Sequence, residues 1–379
     1  MSESTTRRDL LIAGAALTAA AATPLRAGTP ARFRVALCGD FEDIALRAAP
    51  WNTLGDDVEV VAFNKPLTNP PDTVRALRDF DAVVLMRERT PMPRRVIEQL
   101  PRLKLIVFSG LMNATLDHKA AADHNIVIAR ALGMGGDDEE GPAANANPAP
   151  NAGGAGGPAE LALALMLACS WHIPQADGMI RRGGWAMQPE IPIKIPLSGR
   201  VLGIPGYGGI GARAGRLGKA LGMKVLGFSR SLTEEAAARD GITRTDLEGI
   251  MRQSDVISVH LPLTTQTRGM IGAKELAMMK PGVIFINTAR GPIVDQAAFI
   301  DALKSRRISM AGVDVYDEEP LPRHHPFMQI PNLIMTPHIG YVSASGMTSR
   351  YKALFEVVAD YRKGVIKNRY TPSEKDVTS

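Results

Sequence analysis

Cysteine is nearly missing: the 379-residue chain has only Cys38 and Cys169, each set among apolar residues. That excludes a disulfide framework and a cysteine-rich metal site, and leaves two buried thiols. An excess of one charge is missing too. The formal net charge is +5 and aromatics make up only 5% of the chain. Bases and aromatics are not interleaved, so nucleic acid is not an expected partner. The small cluster Lys304, Arg306 and Arg307 reads as a solvated helix face. Long hydrophobic runs are also lacking, since the apolar stretch from Ile12 to Ala22 is too short to cross a bilayer comfortably. No membrane contact is expected beyond a targeting segment, and no metal site.

What is present begins with that segment. Thr6-Arg7-Arg8-Asp9-Leu10-Leu11 precedes the alanine-rich run, then come Pro24 and Arg26. Paired arginines before a short, weakly apolar stretch resemble a twin-arginine export signal. Residues 1–30 are therefore expected to act as a signal peptide, with cleavage after Ala22 or near Ala27. The chain would then work in the periplasm or outside the cell, and in the cytoplasm if the signal is not used.

With 45% hydrophobic and 22% charged residues, the remainder has the composition of globular domains and the length for two of them. Short apolar runs at 34–38, 58–62, 82–85 and 105–108 alternate with helix-like stretches. This predicts a parallel sheet covered on both faces. A second α/β unit starts at Val201, with strands at 224–228, 256–259, 283–286 and 311–313. Between the units, 133–157 is a low-complexity Gly/Ala/Pro segment, read as a flexible loop, with a helix starting at Pro158. The helical spacing from Tyr341 to Arg362 predicts a final helix that packs back on the first unit. The expected domains are 31–157, 158–338 and the return segment 339–379.

The second unit opens with Gly206-Tyr207-Gly208-Gly209-Ile210-Gly211 between a strand and a helix. There the first glycine permits a tight turn, the second admits a pyrophosphate, and the third lets helix pack on strand. The helix N-terminus offers free N–H groups to phosphates. Pro205, just before, removes a donor from a central strand. At the end of the next strand, where an NAD site usually has Asp or Glu, the chain reads Ser229-Arg230. A serine and an arginine can bind a 2′-phosphate that a carboxylate would repel, so NADP(H) is expected in preference to NAD(H).

Downstream lie an arginine, a carboxylate and an imidazole: Arg290 in Thr288-Ala289-Arg290-Gly291, Glu319 before Pro320, and His338 in Pro337-His338-Ile339-Gly340. Reducing a 2-keto acid with a nicotinamide needs such parts. The guanidinium forks onto a planar carboxylate, the imidazole moves a proton on and off the oxygen, and the acid orients the imidazole. His324, His325 and Glu318 read as surface residues.

Together with His260-Leu261-Pro262-Leu263-Thr264, these motifs resemble the D-isomer-specific 2-hydroxyacid dehydrogenases, over about residues 31–363. The resemblance implies two Rossmann-like domains with a cleft between them, the substrate domain being flavodoxin-like and discontinuous. It implies that Arg290 binds the substrate carboxylate, and that His338 and Glu319 form the acid/base pair. It further implies that backbone amides of Leu111 and Met112 hold the carboxylate, the large Met112 reshaping the pocket. Asp314 would bind the nicotinamide carboxamide, and Pro262, Thr288, Ala289 and Gly340 would line the cofactor. A homodimer through 161–171 and Gly183-Gly184-Trp185 is also implied, with a small 2-keto or 2-hydroxy acid as the partner molecule. A phosphoglycerate dehydrogenase and a non-catalytic dinucleotide sensor remain alternatives. The first is weakened by the short stretch after Lys363, the second by the intact triad.

Overall fold

The computed structural model describes residues 33–110, 112–132, 156–185 and 193–371. Within them β1 (Phe33–Cys38), β2 (Val58–Phe63), β3 (Ala82–Leu85), β4 (Leu105–Ser109) and β5 (Val127–Ala131) form a parallel sheet in the order β2-β1-β3-β4-β5. A second sheet contains β6 (Val201–Pro205), β7 (Lys224–Phe228), β8 (Thr243–Arg244), β9 (Val256–Val259), β10 (Val283–Asn287), β11 (Ile308–Val313) and β12 (Leu333–Met335). Its order is β12-β11-β10-β9-β6-β7-β8, also parallel throughout. The expectation of two parallel α/β units is met. Strands β5, β8 and β12 had no clear sequence signal, because two of them are only two or three residues long and β5 carries a charge at Arg130.

The helices are α1 (Ala45–Ala48), α2 (Pro70–Leu77), α3 (Arg94–Ile97) and α4 (His118–Asp123) beside the first sheet. Then come α5 (Gly156–Trp171), α6 (Ile173–Arg181), α7 (Gly209–Ala220), α8 (Glu234–Asp240), α9 (Leu247–Gln253), α10 (Ala273–Met278), α11 (Gln296–Lys304) and α12 (Ala344–Arg362). Every residue of β3, β4, β9 and β10 is buried, as strands covered on both faces must be. Each fully buried Val, Leu or Ile contributes about 1.5–3 kcal/mol relative to exposure, so these interiors carry most of the stability. Cys38 and Cys169 are buried free thiols, and burial pushes both up to about 12.

Two features position the cleft. Helix α12 leaves the second unit and packs on β4, β5 and α1 of the first. Helix α5 crosses between α7, β10 and β11 and is apolar all round. It begins at Gly156, two residues before the expected start at Pro158, so the loop expected over 133–157 ends earlier. The reason is contact: a side chain at Gly157 would put its Cβ 2.4 Å from the Gly340 carbonyl oxygen. Bare backbone lets this first turn rest on the loop that carries His338. The rest of the expected loop, the expected signal peptide at 1–30 and Leu111 lie outside the described residues. Among those described, no helix is long and apolar enough to cross a membrane, and no group of three or more His, Cys, Asp or Glu could hold a metal ion.

Candidate active site in the cleft

His338 follows β12 and has φ +53°, a left-handed conformation that costs a non-glycine residue about 1 kcal/mol or more. Asp314, just past β11 and 1% exposed, holds it there. Its Oδ1 accepts the Thr336 hydroxyl at 2.5 Å and the Ile339 N–H at 2.9 Å, and its Oδ2 accepts the Gly340 N–H at 2.9 Å. Burial pushes the Asp314 carboxyl up more than those donors and the His338 charge pull it down. This clamp went unseen in the sequence, where Asp314 stands 24 residues before His338 and only the resemblance gave it a role.

Glu319 Oε2 lies 2.6 Å from His338 Nδ1, with side-chain exposures of 32% and 20%. Its other oxygen accepts the Tyr316 N–H at 2.9 Å, which fixes the carboxylate's orientation. A carboxylate only accepts, so Nδ1 carries the hydrogen and Nε2 is left to exchange a proton. Glu318 is exposed and does not compete for the ring. His325 is a correction. It is half-buried, not a free surface residue: Nδ1 accepts the Phe327 N–H at 3.2 Å, Nε2 meets Gln296 Oε1 at 3.1 Å, and the ring lies edge-on to Phe327.

Arg290 extends from the end of β10. Asn287 braces the turn, donating from Nδ2 to the Arg290 carbonyl at 3.0 Å and accepting the Ala289 N–H at 3.0 Å. Arg290 Nη1 donates to the Ala289 carbonyl at 2.7 Å, which holds the side chain against its own turn.

At the dinucleotide turn, Gly206 has φ +97° and its Cβ position would fall 2.4 Å from the His260 backbone. A Cβ at Gly211 would fall equally close to the Gly206 carbonyl, whereas a Cβ at Gly208 would meet nothing within 4 Å. That open face, beside the first turn of α7, fits a pyrophosphate. Pro205 does not disturb the turn, because Gly206 and Tyr207 both donate to the Phe228 carbonyl, at 2.8 and 2.9 Å. The Tyr207 hydroxyl donates to Asp240 Oδ2 at 3.0 Å, which ties the turn to the end of α8. Gly209 and Ile210 open α7 itself. Two buried hydroxyls face this region without a hydrogen-bond partner, Ser229 Oγ and Thr288 Oγ1. Orphaned buried hydroxyls are costly, so both fit a bound dinucleotide. Arg230 is exposed next to Ser229 and touches Gln266 at 3.2 Å. Pro262, also exposed, is fixed by the Thr267 hydroxyl on its carbonyl at 2.6 Å.

The opposite wall belongs to the first sheet. Met112 is 47% exposed. Asn113, buried beside it, donates to the Arg87 carbonyl at 2.9 Å, and the Arg87 N–H donates to Ser109 Oγ at 3.1 Å. The loop after β3 is thereby stapled to the loop after β4. It carries Arg87, Glu88 and Arg89, none of which the sequence had singled out. The available signal was three consecutive charges directly after a wholly apolar strand. Arg89 donates to the Tyr341 hydroxyl at 2.6 Å and forks onto Glu42 at 2.7 and 2.8 Å. The Arg87 guanidinium stands 5.7 Å over the same tyrosine ring, and His338 meets that ring edge-on at 5.6 Å. Tyr341 therefore joins the two walls.

Residues 163–340 match the family model described as D-isomer specific 2-hydroxyacid dehydrogenase, NAD binding domain, and residues 41–138 match that described as its catalytic domain. The chain is 32% identical over 314 residues to a glyoxylate reductase of Thermococcus litoralis, covering 81% of this chain and 88% of that one. A D-3-phosphoglycerate dehydrogenase of Archaeoglobus fulgidus is 32% identical over 78% of this chain, which spans only 52% of that relative's length. Among solved structures, a putative D-3-phosphoglycerate dehydrogenase from Ralstonia solanacearum superposes with a TM-score of 0.78 at 30% identity, over 91% of this chain and 98% of that one.

Proposed function

This chain belongs to the D-isomer-specific 2-hydroxyacid dehydrogenase family, and from that premise we propose that it reduces a small 2-keto acid to a D-2-hydroxy acid with NADP(H) in preference to NAD(H). The observation that carries the reading is the 2.6 Å contact between Glu319 Oε2 and His338 Nδ1, in the same cleft as Arg290. On this reading the proton donor and the carboxylate fork share one wall, and polar loop backbone lines the other.

In this mechanism the Arg290 guanidinium holds the substrate carboxylate and polarises the adjacent carbonyl. The reduced nicotinamide, when bound, supplies the hydride to the carbonyl carbon. His338 gives its Nε2 proton to the carbonyl oxygen, and Glu319 stabilises the ring while that proton is in place. In the oxidative direction His338 takes the hydroxyl proton back. Asp314 acts first on the protein, as the anchor of the His338 loop, with the nicotinamide carboxamide as a further donor to it. Pro262, Thr288, Ala289 and Gly340 line the nicotinamide and its ribose. The preference for NADP(H) rests on Ser229 and Arg230, whose orphaned hydroxyl and exposed guanidinium suit a 2′-phosphate.

The proposal extends to domain limits, address and assembly. Residues 1–30 serve as a twin-arginine signal and the enzyme acts in the periplasm or beyond. The substrate domain is 31–157 with 339–379, and 158–338 binds the dinucleotide. Copies pair through α5 and α6, a reading supported by the exposed Trp171, Ile173, Ile180 and Trp185 along that arm.

The test is consumption of NADPH and NADH by purified protein with glyoxylate, hydroxypyruvate, pyruvate and phenylpyruvate. Faster turnover with NADPH is expected, with a loss of roughly 10²–10⁴-fold in His338→Ala while cofactor still binds. No turnover with either cofactor, despite NADPH binding, would overturn the enzyme reading.

A further inference from the structure

The crevice at the edge of the first sheet holds a carboxylate that the proposed reaction does not use. In that sheet the strand order reverses between β1 and β3, and open α/β sheets receive ligands beyond the carboxyl ends of the strands at such a point. Glu88 stands there, one residue after Arg87, whose φ of +54° marks a tightly held turn. The Glu88 side chain keeps 21% of its surface exposed, yet its Oε2 is buried and has no hydrogen-bond partner among the described residues. Arg87 Nε approaches it only to 3.8 Å, too far for a hydrogen bond.

The loop that carries Glu88 lies against the His338 wall, since the neighbouring Arg87 stands 5.7 Å over the Tyr341 ring that His338 meets edge-on at 5.6 Å. Burial pushes the Glu88 carboxyl up, but the charges of Arg87, Arg290 and His338 outweigh burial and keep it below the ordinary carboxylate range. It is therefore an anion within the electrostatic reach of both groups assigned to the substrate. Once Arg290 holds the carboxylate of a 2-keto acid and His338 its carbonyl oxygen, the third carbon is the part left to face the first-sheet loops. A hydrogen-bond donor on that carbon can satisfy the orphaned oxygen. A second anion would meet the Glu88 charge in a poorly screened cleft.

We propose that Glu88 determines substrate specificity, selecting 2-keto acids whose third carbon bears a hydroxyl or an ammonium group over those bearing a carboxylate or phosphate. The inference rests on the reductase reading above. The competing explanation is that Glu88 only balances the charge of Arg87.

Substrate ratios separate these. The kcat/KM of the full-length enzyme is measured for glyoxylate, hydroxypyruvate and oxaloacetate in the wild type, Glu88→Gln and Glu88→Asp. In the wild type, hydroxypyruvate is expected to be a better substrate than oxaloacetate. Glu88→Gln should raise the oxaloacetate-to-glyoxylate ratio roughly tenfold and lower the hydroxypyruvate-to-glyoxylate ratio several-fold. Glu88→Asp should keep the wild-type ranking. Equal scaling of all three substrates in Glu88→Gln is what charge balancing alone would give, and it would overturn the proposal. A wild type that prefers oxaloacetate would overturn it as well, even if the variants fail to fold. Absence of turnover with all three would remove the reductase reading and this inference with it, whereas turnover with unchanged ratios removes only the inference.

Discussion

Asp314→Asn keeps the shape of the side chain and removes its charge, and the hydrogen bonds around it set the size of the effect. The carboxylate accepts Thr336 Oγ1 at 2.5 Å and the Ile339 N–H at 2.9 Å on one oxygen, and the Gly340 N–H at 2.9 Å on the other. An amide has one acceptor oxygen. With that oxygen toward Thr336 and Ile339, the amide nitrogen faces the Gly340 N–H, donor against donor. One charge-assisted bond is lost and a buried N–H is orphaned, which together cost about 3 kcal/mol. Part of this is returned, because burial already disfavours the Asp314 carboxylate. The net destabilisation is about 2 kcal/mol, or roughly 3 °C in Tm for a protein of this size.

Turnover should suffer more than stability. His338 lies between Thr336 and Gly340, and a shift of about 1 Å in a reacting group is worth on the order of 10²-fold in rate. Calorimetry gives the Tm, steady-state kinetics give kcat, and fluorescence titration gives the NADPH dissociation constant, which should change by no more than about threefold if Asp314 acts mainly on the loop. An unchanged Tm and kcat with tenfold weaker NADPH binding would refute the reasoning. Asp314 would then serve the cofactor and not the loop.

Two glycines make a contrasting pair. Gly157→Ala places a Cβ 2.4 Å from the Gly340 carbonyl oxygen, so α5 must retreat at a cost of about 1–3 kcal/mol, visible in chemical denaturation. Gly208→Ala meets open space, so it should leave the denaturation midpoint nearly unchanged and weaken NADPH binding in the same titration. His260 sets a pH dependence. Burial lowers its pKa from 6.5 to about 4, so the unfolded chain takes up a proton between those values and the folded one does not. Stability is therefore full above about pH 6.5 and falls as pH drops toward about 4, by up to about 3 kcal/mol for this group. Subtracting the Tm–pH curve of His260→Gln from that of the wild type should isolate this slope, and parallel curves would refute it.

Much of the site was readable because its parts are contiguous in sequence. The glycine turn needs only a strand before it and a helix after it, and Ser229 needs only the end of the next strand. Arg290, Glu319 and His338 each stand inside a short motif whose residue types match a chemical task. Parallel strands buried on both faces leave continuous apolar runs, so β3, β4, β9 and β10 showed in the sequence. Short β8 and β12 did not, because two or three residues hold no period and their pairing comes from neighbours. The start of α5 at Gly156 was hidden for a similar reason, since a proline marks a first turn but contact with Gly340 decides where that turn begins.

The amino-acid order by itself determined the two α/β units, the dinucleotide turn and the three side chains proposed to react, all properties set by local spacing. Only the tertiary structure decided which groups meet. It turned Asp314 into the clamp of the His338 loop, made His325 a structural cap, and brought the first-sheet loop that carries Glu88 against the His338 wall through Tyr341. Apart from the local His325 cap, those contacts join residues well separated in the chain. No local pattern encodes them, because they arise when two separately buried sheets are joined through α12 and Tyr341.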